Sequence, residues 1–159
     1  MDNNEFYTFQ RYTRQYQNSH GLTPSMEDYL EMIYRLTLKK YYTRIIDLAG
    51  ALNVQPPSAT KMVQKLAEIG LLNYEKYGVV KLTPAGLKIG EILLRRHDSL
   101  EAFLRLLGVS NVLEDTEKIE HNLSTEALEC IYQFVSFIEN HPQYLDEFHN
   151  YQKSLKNNP

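Results

Sequence analysis

The sequence predicts a mainly α-helical protein in two parts. An N-terminal winged helix-turn-helix, three helices plus a β-hairpin wing, is linked by a long helix to an all-helical C-terminal part. Three observations predict this. The 159 residues include only 7 Gly and 6 Pro and are 43% hydrophobic, enough to fill a core and poor in helix breakers. Apolar residues recur at helical spacing in several stretches, interrupted by one stretch that reads as two short strands about a glycine. Charge is split: residues 1–96 hold 13 Lys/Arg and 9 Asp/Glu, a net +4, whereas residues 97–159 hold 4 and 11, a net −7. Such asymmetry suggests a nucleic-acid-facing half joined to a half with another task.

The elements follow in order. Residues 1–22 are polar but aromatic, with Phe6, Phe9, Tyr12 and Tyr16 near helical spacing. A short helix packed on the body or a partner is favoured there over a DNA-reaching arm using Arg11 and Arg14. "TPSMEDYLEMIYRL" opens the first clear helix, with Ser25 as N-cap and Met26, Tyr29, Leu30, Ile33, Tyr34 and Leu36 as its apolar stripe. After the basic connector "KKYYTR", a short helix turns Ile45, Leu48, Ala49 and Leu52 inward. "QPPSATKMVQKLAEIGLL" is the next helix, with Pro57 at its first position and Gly70 as the left-handed residue that ends it.

"LNYEKYGVVKLT" then reads as two strands around Gly78, with Val79, Val80 and Leu82 in the second. Thr83-Pro84 opens a long helix to about Leu107, stopped by Gly108. A shorter acidic helix is expected around Glu114–Asn122. Ser124 caps the next helix, where Leu123 and Leu128 have the spacing of a hydrophobic staple and Leu128, Ile131, Val135 and Ile138 face inward. His141-Pro142 breaks that helix, and a last one runs from about Gln143 to Leu155. The expected organisation is an extension over 1–22, a winged helix over 23–83, and a linker helix with a helical domain over 84–159. No internal repeat or low-complexity tract interrupts it.

Several function classes recede at this stage. No apolar run reaches membrane-spanning length and no apolar leader opens the chain. The single Cys130 has no partner for an internal disulfide, which fits a reducing cytoplasm, and its place on an amphipathic helix suggests a buried, inert thiol.

In the DNA-facing half, Ala59, Met62, Val63, Leu66 and Ile69 point inward on the second helix of the pair. Thr60, Lys61, Gln64 and Glu68 recur on the opposite side, flanked by Ser58 and Lys65. Amide, amino and hydroxyl groups on an outward face suit base edges and phosphates of a major groove. In the wing, Lys76 and Lys81 with Tyr74 and Tyr77 could straddle backbone phosphates. From Lys39 to Lys81 there are 7 basic and 3 acidic residues. Turn, helix pair and wing in the right order favour DNA binding over a helical domain whose polar faces only meet water.

In the acidic half, potential metal ligands cluster in "DTEKIEHNLS", where Glu117, Glu120 and His121 stand at i, i+3 and i+4 on one helical face. Asp28 and Glu31, one turn apart on the first helix, and His97 on the long helix could join them. Each also has a plain reading: Asp28 completing a capping-box-like start after Ser25, Glu117 and Glu120 complementing a helix dipole, His97 a surface residue beside Arg95 and Arg96. Carboxylates and imidazoles without paired thiolates suit Mn²⁺ or Fe²⁺ and do not exclude Zn²⁺.

The segments "TPSMEDYLEMIY", "PSATKMVQKL", "YEKYG" and "EKIEHNLS", in that order and at suitable separations, resemble the manganese transport regulators of the diphtheria-toxin-repressor superfamily. The resemblance runs from Thr23 to about Leu145. It implies a winged helix joined by a long helix to a helical dimerisation and metal-binding domain. It also implies that Asp28, Glu31, His97, Glu117, Glu120 and His121 are metal ligands, for two ions per subunit. Iron-responsive relatives usually carry Met at the position of Asp28 and Cys at that of Glu120, so the oxygen ligands here imply a manganese preference, with Fe²⁺ or Zn²⁺ as alternatives.

The expected DNA-contacting residues are Pro57, Ser58, Thr60, Lys61, Gln64, Lys65, Lys76 and Tyr77. The expected protein is a cytoplasmic homodimer that binds double-stranded operator DNA, represses metal-uptake genes and has no membrane association. Three departures stand out: the first 22 residues extend beyond the usual start, Pro57 stands where Ser is common, and no C-terminal SH3-like domain is present. A binuclear metal-dependent hydrolase is the competing class, since two carboxylate-bridged ions can activate water. No separate nucleophile or phosphate-binding loop supports it. A metal-independent winged-helix regulator would leave the six ligands without a role.

Overall fold

The computed structural model describes residues 21–75 and 78–156. Their elements are α1 (Pro24–Thr37), β1 (Thr43–Arg44), α2 (Ile45–Ala51), α3 (Pro56–Glu68), β2 (Leu72–Glu75), β3 (Val79–Leu82), α4 (Pro84–Leu106), α5 (Val112–Ile119), α6 (Thr125–Asn140) and α7 (Pro142–Lys156). They form two compact units, divided within α4 between Leu94 and Arg95. The expectations for Phe6 to Tyr16 and for Arg11 and Arg14 lie outside the described residues.

The first unit is a winged helix-turn-helix. Helix α1 begins two residues earlier than Ser25 would set it: Thr23 is the N-cap, its hydroxyl accepting from the Met26 amide at 3.4 Å. Pro24 explains the shift, because its fixed φ and missing N–H suit the first helical position. Asp28 therefore does not complete a capping box, since the third helical position is Met26. Helix α3 likewise starts at Pro56, with Gln55 as N-cap and Pro57 at the second position.

The turn between α2 and α3 passes through Asn53 at φ 52°, a left-handed conformation that asparagine tolerates better than most residues. Gly70 (φ 78°) ends α3 as expected. Around these turns Leu30, Ile33, Leu48, Ala59, Val63, Leu66, Leu71, Val80, Ile89 and Leu93 form one buried core.

The wing strands β2 and β3 pair antiparallel, Leu72 opposite Leu82 and Tyr74 opposite Val80. A third strand, β1, pairs with β3 on its other edge, Arg44 opposite Val79. At two residues it is too short to produce a periodic pattern in the sequence.

The second unit holds the end of α4 with α5, α6 and α7. Ser124 caps α6, accepting from the Ala127 amide at 3.1 Å. Leu128, Val135 and Ile138 are buried along α6. Phe103 meets Phe134 edge to face. Helix α7 is tied to the end of α4: His149 Nε2 donates to the Leu106 carbonyl at 3.0 Å and Gln152 Nε2 to the Leu107 carbonyl at 2.9 Å. Those carbonyls are among the ones a helix end leaves without intrahelical partners. Cys130 is exposed rather than buried, because two residues along from Leu128 it falls on the far side of α6. No described helix is long and apolar enough to cross a membrane.

Candidate metal centre and nucleic-acid interface

In the second unit α4 presents His97 and the end of α5 presents Glu120 and His121. The acidic helix spans Val112–Ile119 rather than Glu114–Asn122, so Glu120 is its C-cap. A carboxylate at a helix C-terminus faces the negative end of the macrodipole. Dipole complementation therefore does not account for Glu120.

Glu120 is 4% exposed and His97 8%. His97 Nδ1 lies 3.0 Å from Glu120 Oε2, and His121 Nε2 lies 3.5 Å from Glu120 Oε1. Among the described residues Glu120 has no Lys or Arg partner; its two oxygens face two imidazoles. The plain reading of His97 as a surface residue is overturned by this burial.

The ring orientations follow from the partners. An Arg96 guanidinium nitrogen lies 3.2 Å from His121 Nδ1. With Arg96 beside Nδ1, Nε2 is the ring nitrogen turned toward Glu120. His97 donates from Nδ1 to the Glu120 carboxylate, the orientation a carboxylate imposes on a ligating imidazole whose other nitrogen serves an ion. Glu101 Oε2 lies 4.0 Å from His97 Nε2. Sequence reasoning missed Glu101 and Arg96, although Glu101 stands at i+4 from His97, the spacing of neighbours on a helix. Glu117 is exposed one turn before Glu120 and makes no ion pair or hydrogen bond among the described residues.

In the first unit Asp28 is exposed on α1, and Glu31 is buried, with its Oε1 held by Arg35 at 2.8 Å. The donor set fits a divalent cation: a buried carboxylate between two imidazoles lacks the full positive charge that burial of an ion requires. Carboxylate and imidazole donors are compatible with Mn²⁺, Fe²⁺ or Zn²⁺.

The outer face of α3 is open as its periodicity predicts. Pro57, Ser58, Lys61, Gln64, Lys65 and Glu68 are exposed, whereas Ala59, Val63 and Leu66 are buried. Thr60 is half-buried and its hydroxyl donates to the Pro56 carbonyl at 3.0 Å, which removes that proton from any outside contact. In the wing Lys81 pairs with Glu75 at 2.8 Å and Tyr74 packs against the core. Lys76 and Tyr77 lie outside the described residues.

A winged helix followed by a helical unit with a carboxylate–imidazole cluster defines the class: a metal-responsive DNA-binding regulator. The family model described as iron dependent repressor, N-terminal DNA binding domain, matches residues 21–80. Its companion, iron dependent repressor, metal binding and dimerisation domain, matches residues 83–149. The chain belongs to this family of metal-dependent repressors, and it is a transcriptional regulator, not an enzyme.

The chain is 50% identical over 133 residues to an HTH-type transcriptional regulator, MntR, of Geobacillus kaustophilus, covering 82% of this chain and 94% of that one. It is 50% identical over 126 residues to the MntR of Listeria welshimeri, covering 78% and 89%. Among solved structures, that of the manganese regulator SloR matches with a TM-score of 0.61 at 29% identity, covering 72% of this chain and 55% of that one. The chain thus spans about half the length of that solved relative.

Proposed function

We propose that the chain is a manganese-responsive repressor that acts as a homodimer. Asp28 and Glu31 on α1 would hold divalent ions jointly with His97, Glu117, Glu120 and His121, two ions per subunit. The observation that carries this reading is Glu120, a buried carboxylate compensated by two imidazoles and no lysine or arginine among the described residues. A bound divalent ion supplies the missing positive charge and Lewis-acid coordination.

The chain's own residues do the rest. Arg96 steadies the His121 ring, Glu120 orients His97, and Arg35 steadies Glu31. If both sets of ligands share ions, ion binding restricts how the winged helix is carried relative to the dimer core. A coupling of about 1–3 kcal/mol would then change operator affinity roughly 5–150-fold. Two winged helices related by two-fold symmetry would occupy successive major grooves of a palindromic operator, each through Ser58, Lys61, Gln64 and Lys65. The oxygen-rich ligand set and the similarity to manganese regulators support Mn²⁺ over Fe²⁺ or Zn²⁺, and genes for manganese uptake are the expected targets.

The test is operator binding with and without Mn²⁺ for the wild type and for Glu120→Ala. The wild type should bind tightly only with metal, and the variant should lose that dependence. A wild type that binds equally well in chelator would refute the switch.

A further inference from the structure

We propose that the outer face of α7 is a self-pairing surface: it meets α7 of a second copy of the chain, antiparallel, and forms part of the homodimer interface. This deepens the homodimer reading and rests on it.

Helix α7 uses one face and leaves another open. Toward its own unit, His149 and Gln152 bond to the end of α4 and Leu145 is half-buried. Beside that face Tyr144, Phe148, Tyr151 and Leu155 recur at i, i+4, i+7 and i+11, the spacing of a single seam along a helix. These four are between 37% and 61% exposed, and no residue of α7 is buried. Phe137 of α6, also exposed, extends the seam, its ring stacked on Tyr144 at 5.6 Å between centroids. Single apolar residues on a surface are ordinary, but a contiguous row of large ones marks a contact surface.

The order of residues along α7 selects a second copy of α7 as the occupant. Tyr144 and Leu155 lie equally far from the midpoint between His149 and Asn150, and so do Phe148 and Tyr151. A two-fold axis through that midpoint sets Tyr144 of each copy against Leu155 of the other, and Phe148 against Tyr151. Such reciprocal contacts are those of an isologous interface.

Charge follows the same symmetry. Asp146 and Glu147 stand in the first half of α7, Lys153 and Lys156 in its last turn. Antiparallel pairing brings the acidic half of each helix beside the basic half of the other and opposes the two macrodipoles, whereas parallel pairing puts like charge beside like. The match to the metal binding and dimerisation domain runs to residue 149, so the seam begins inside the region that dimerises. With side chains of about 150–250 Å² each, the four half-exposed rings offer roughly 400 Å². A standard interface takes about 800 Å² from each partner. The seam therefore supplies about half of such an interface, and other surfaces of the two copies complete it.

The test uses the full chain with Mn²⁺. In a Cys130→Ser background, Tyr144→Cys with Leu155→Cys should give a disulfide-linked dimer on mild oxidation, and Tyr144→Cys alone should not. Antiparallel pairing holds the two copies of position 144 roughly 16 Å apart along the axis, from 1.5 Å of rise per residue. A disulfide needs Cα atoms within about 7 Å. The same separation keeps positions 144 and 155 of one helix from linking to each other. Phe148→Glu with Tyr151→Glu should raise the dimer dissociation constant at least about tenfold in sedimentation equilibrium, with helical circular dichroism unchanged. A double-cysteine chain that stays single, Tyr144→Cys alone linking as readily, or a charged variant with the wild-type dissociation constant would overturn the proposal while the dimer stands. A wild type that sediments as a monomer would instead overturn the homodimer reading, and this one with it.

Discussion

Replacing Gly86 by alanine should destabilise the protein even though alanine is the better helix former. Helix α4 starts at Pro84, and a Cβ at position 86 would lie 2.0 Å from the Leu71 carbonyl oxygen, 3.0 Å from its carbon and 3.1 Å from Leu82 Cδ2. An ordinary carbon–oxygen contact needs more than 1 Å of further separation, roughly, in a close-packed interior. The obstacle is backbone, so it cannot swing aside. The same Leu71 oxygen accepts from the Thr83 amide at 3.0 Å and from the Thr83 hydroxyl at 3.1 Å, the bonds that seat the start of α4. Moving Gly86 away stretches both beyond bonding range.

Two lost hydrogen bonds cost about 1–3 kcal/mol together, and overpacking typically costs about 1–3 kcal/mol more. Alanine returns at most about 1 kcal/mol of helix propensity. The net loss is then about 1–5 kcal/mol, read as a lower midpoint in urea unfolding followed by circular dichroism. Gly50→Ala is the matched control: position 50 lies in α2 with nothing within 4 Å of its Cβ, so alanine there should stabilise, by up to about 1 kcal/mol. Equal or higher stability for Gly86→Ala would refute the seating of α4 against Leu71.

Two further outcomes are expected. Gln64→Ala, on the open face of α3, should leave stability within about 0.5 kcal/mol. It should weaken operator binding by about 1–3 kcal/mol and relax the preference at one base position, measured by competition among operator variants. Burial pushes the Tyr29 phenol above its ordinary value, so the folded state holds that proton more tightly than the unfolded state. Its contribution is fully present below about pH 10, where the unfolded phenol titrates, and is lost as pH rises through the higher folded value. Tyr29→Phe should flatten the fall in stability on the alkaline side of pH 10, followed by urea midpoints.

Much of the fold was legible because amphipathic periodicity reports burial directly. The inward set on α3 and the outward Lys61 and Gln64 follow from a 3.6-residue repeat, and Gly70, Gly78 and Gly108 take positive φ where turns were expected. The misplaced starts share one cause. Ser25 and Thr23 are both good caps, and Pro56 and Pro57 both suit a first position, so residue type left two choices. At α1 Pro24 decides and at α3 Pro56 does, because a proline early in the first turn costs no hydrogen bond. Strand β1 exists only through its pairing with β3, a non-local contact that two residues cannot announce. The burial of His97 was likewise hidden, because spacing along one helix says nothing of which distant segment covers it.

Glu120 shows how structure separates readings that spacing left level. Two carboxylates on a short helix can mean dipole complementation or ligation, and the sequence, with a helix expected around Glu114–Asn122, left both readings open for Glu117 and Glu120. The helix ends at Ile119, so Glu120 stands where the dipole opposes it, and it is also nearly inaccessible to water. Both effects disfavour an anion unless cationic charge is near. The nearest groups are the imidazoles of His97 and His121. The carboxylate is therefore held between two imidazoles, with no Lys or Arg beside it among the described residues. An arrangement of that kind is costly for stability alone and appropriate for a cation that comes and goes.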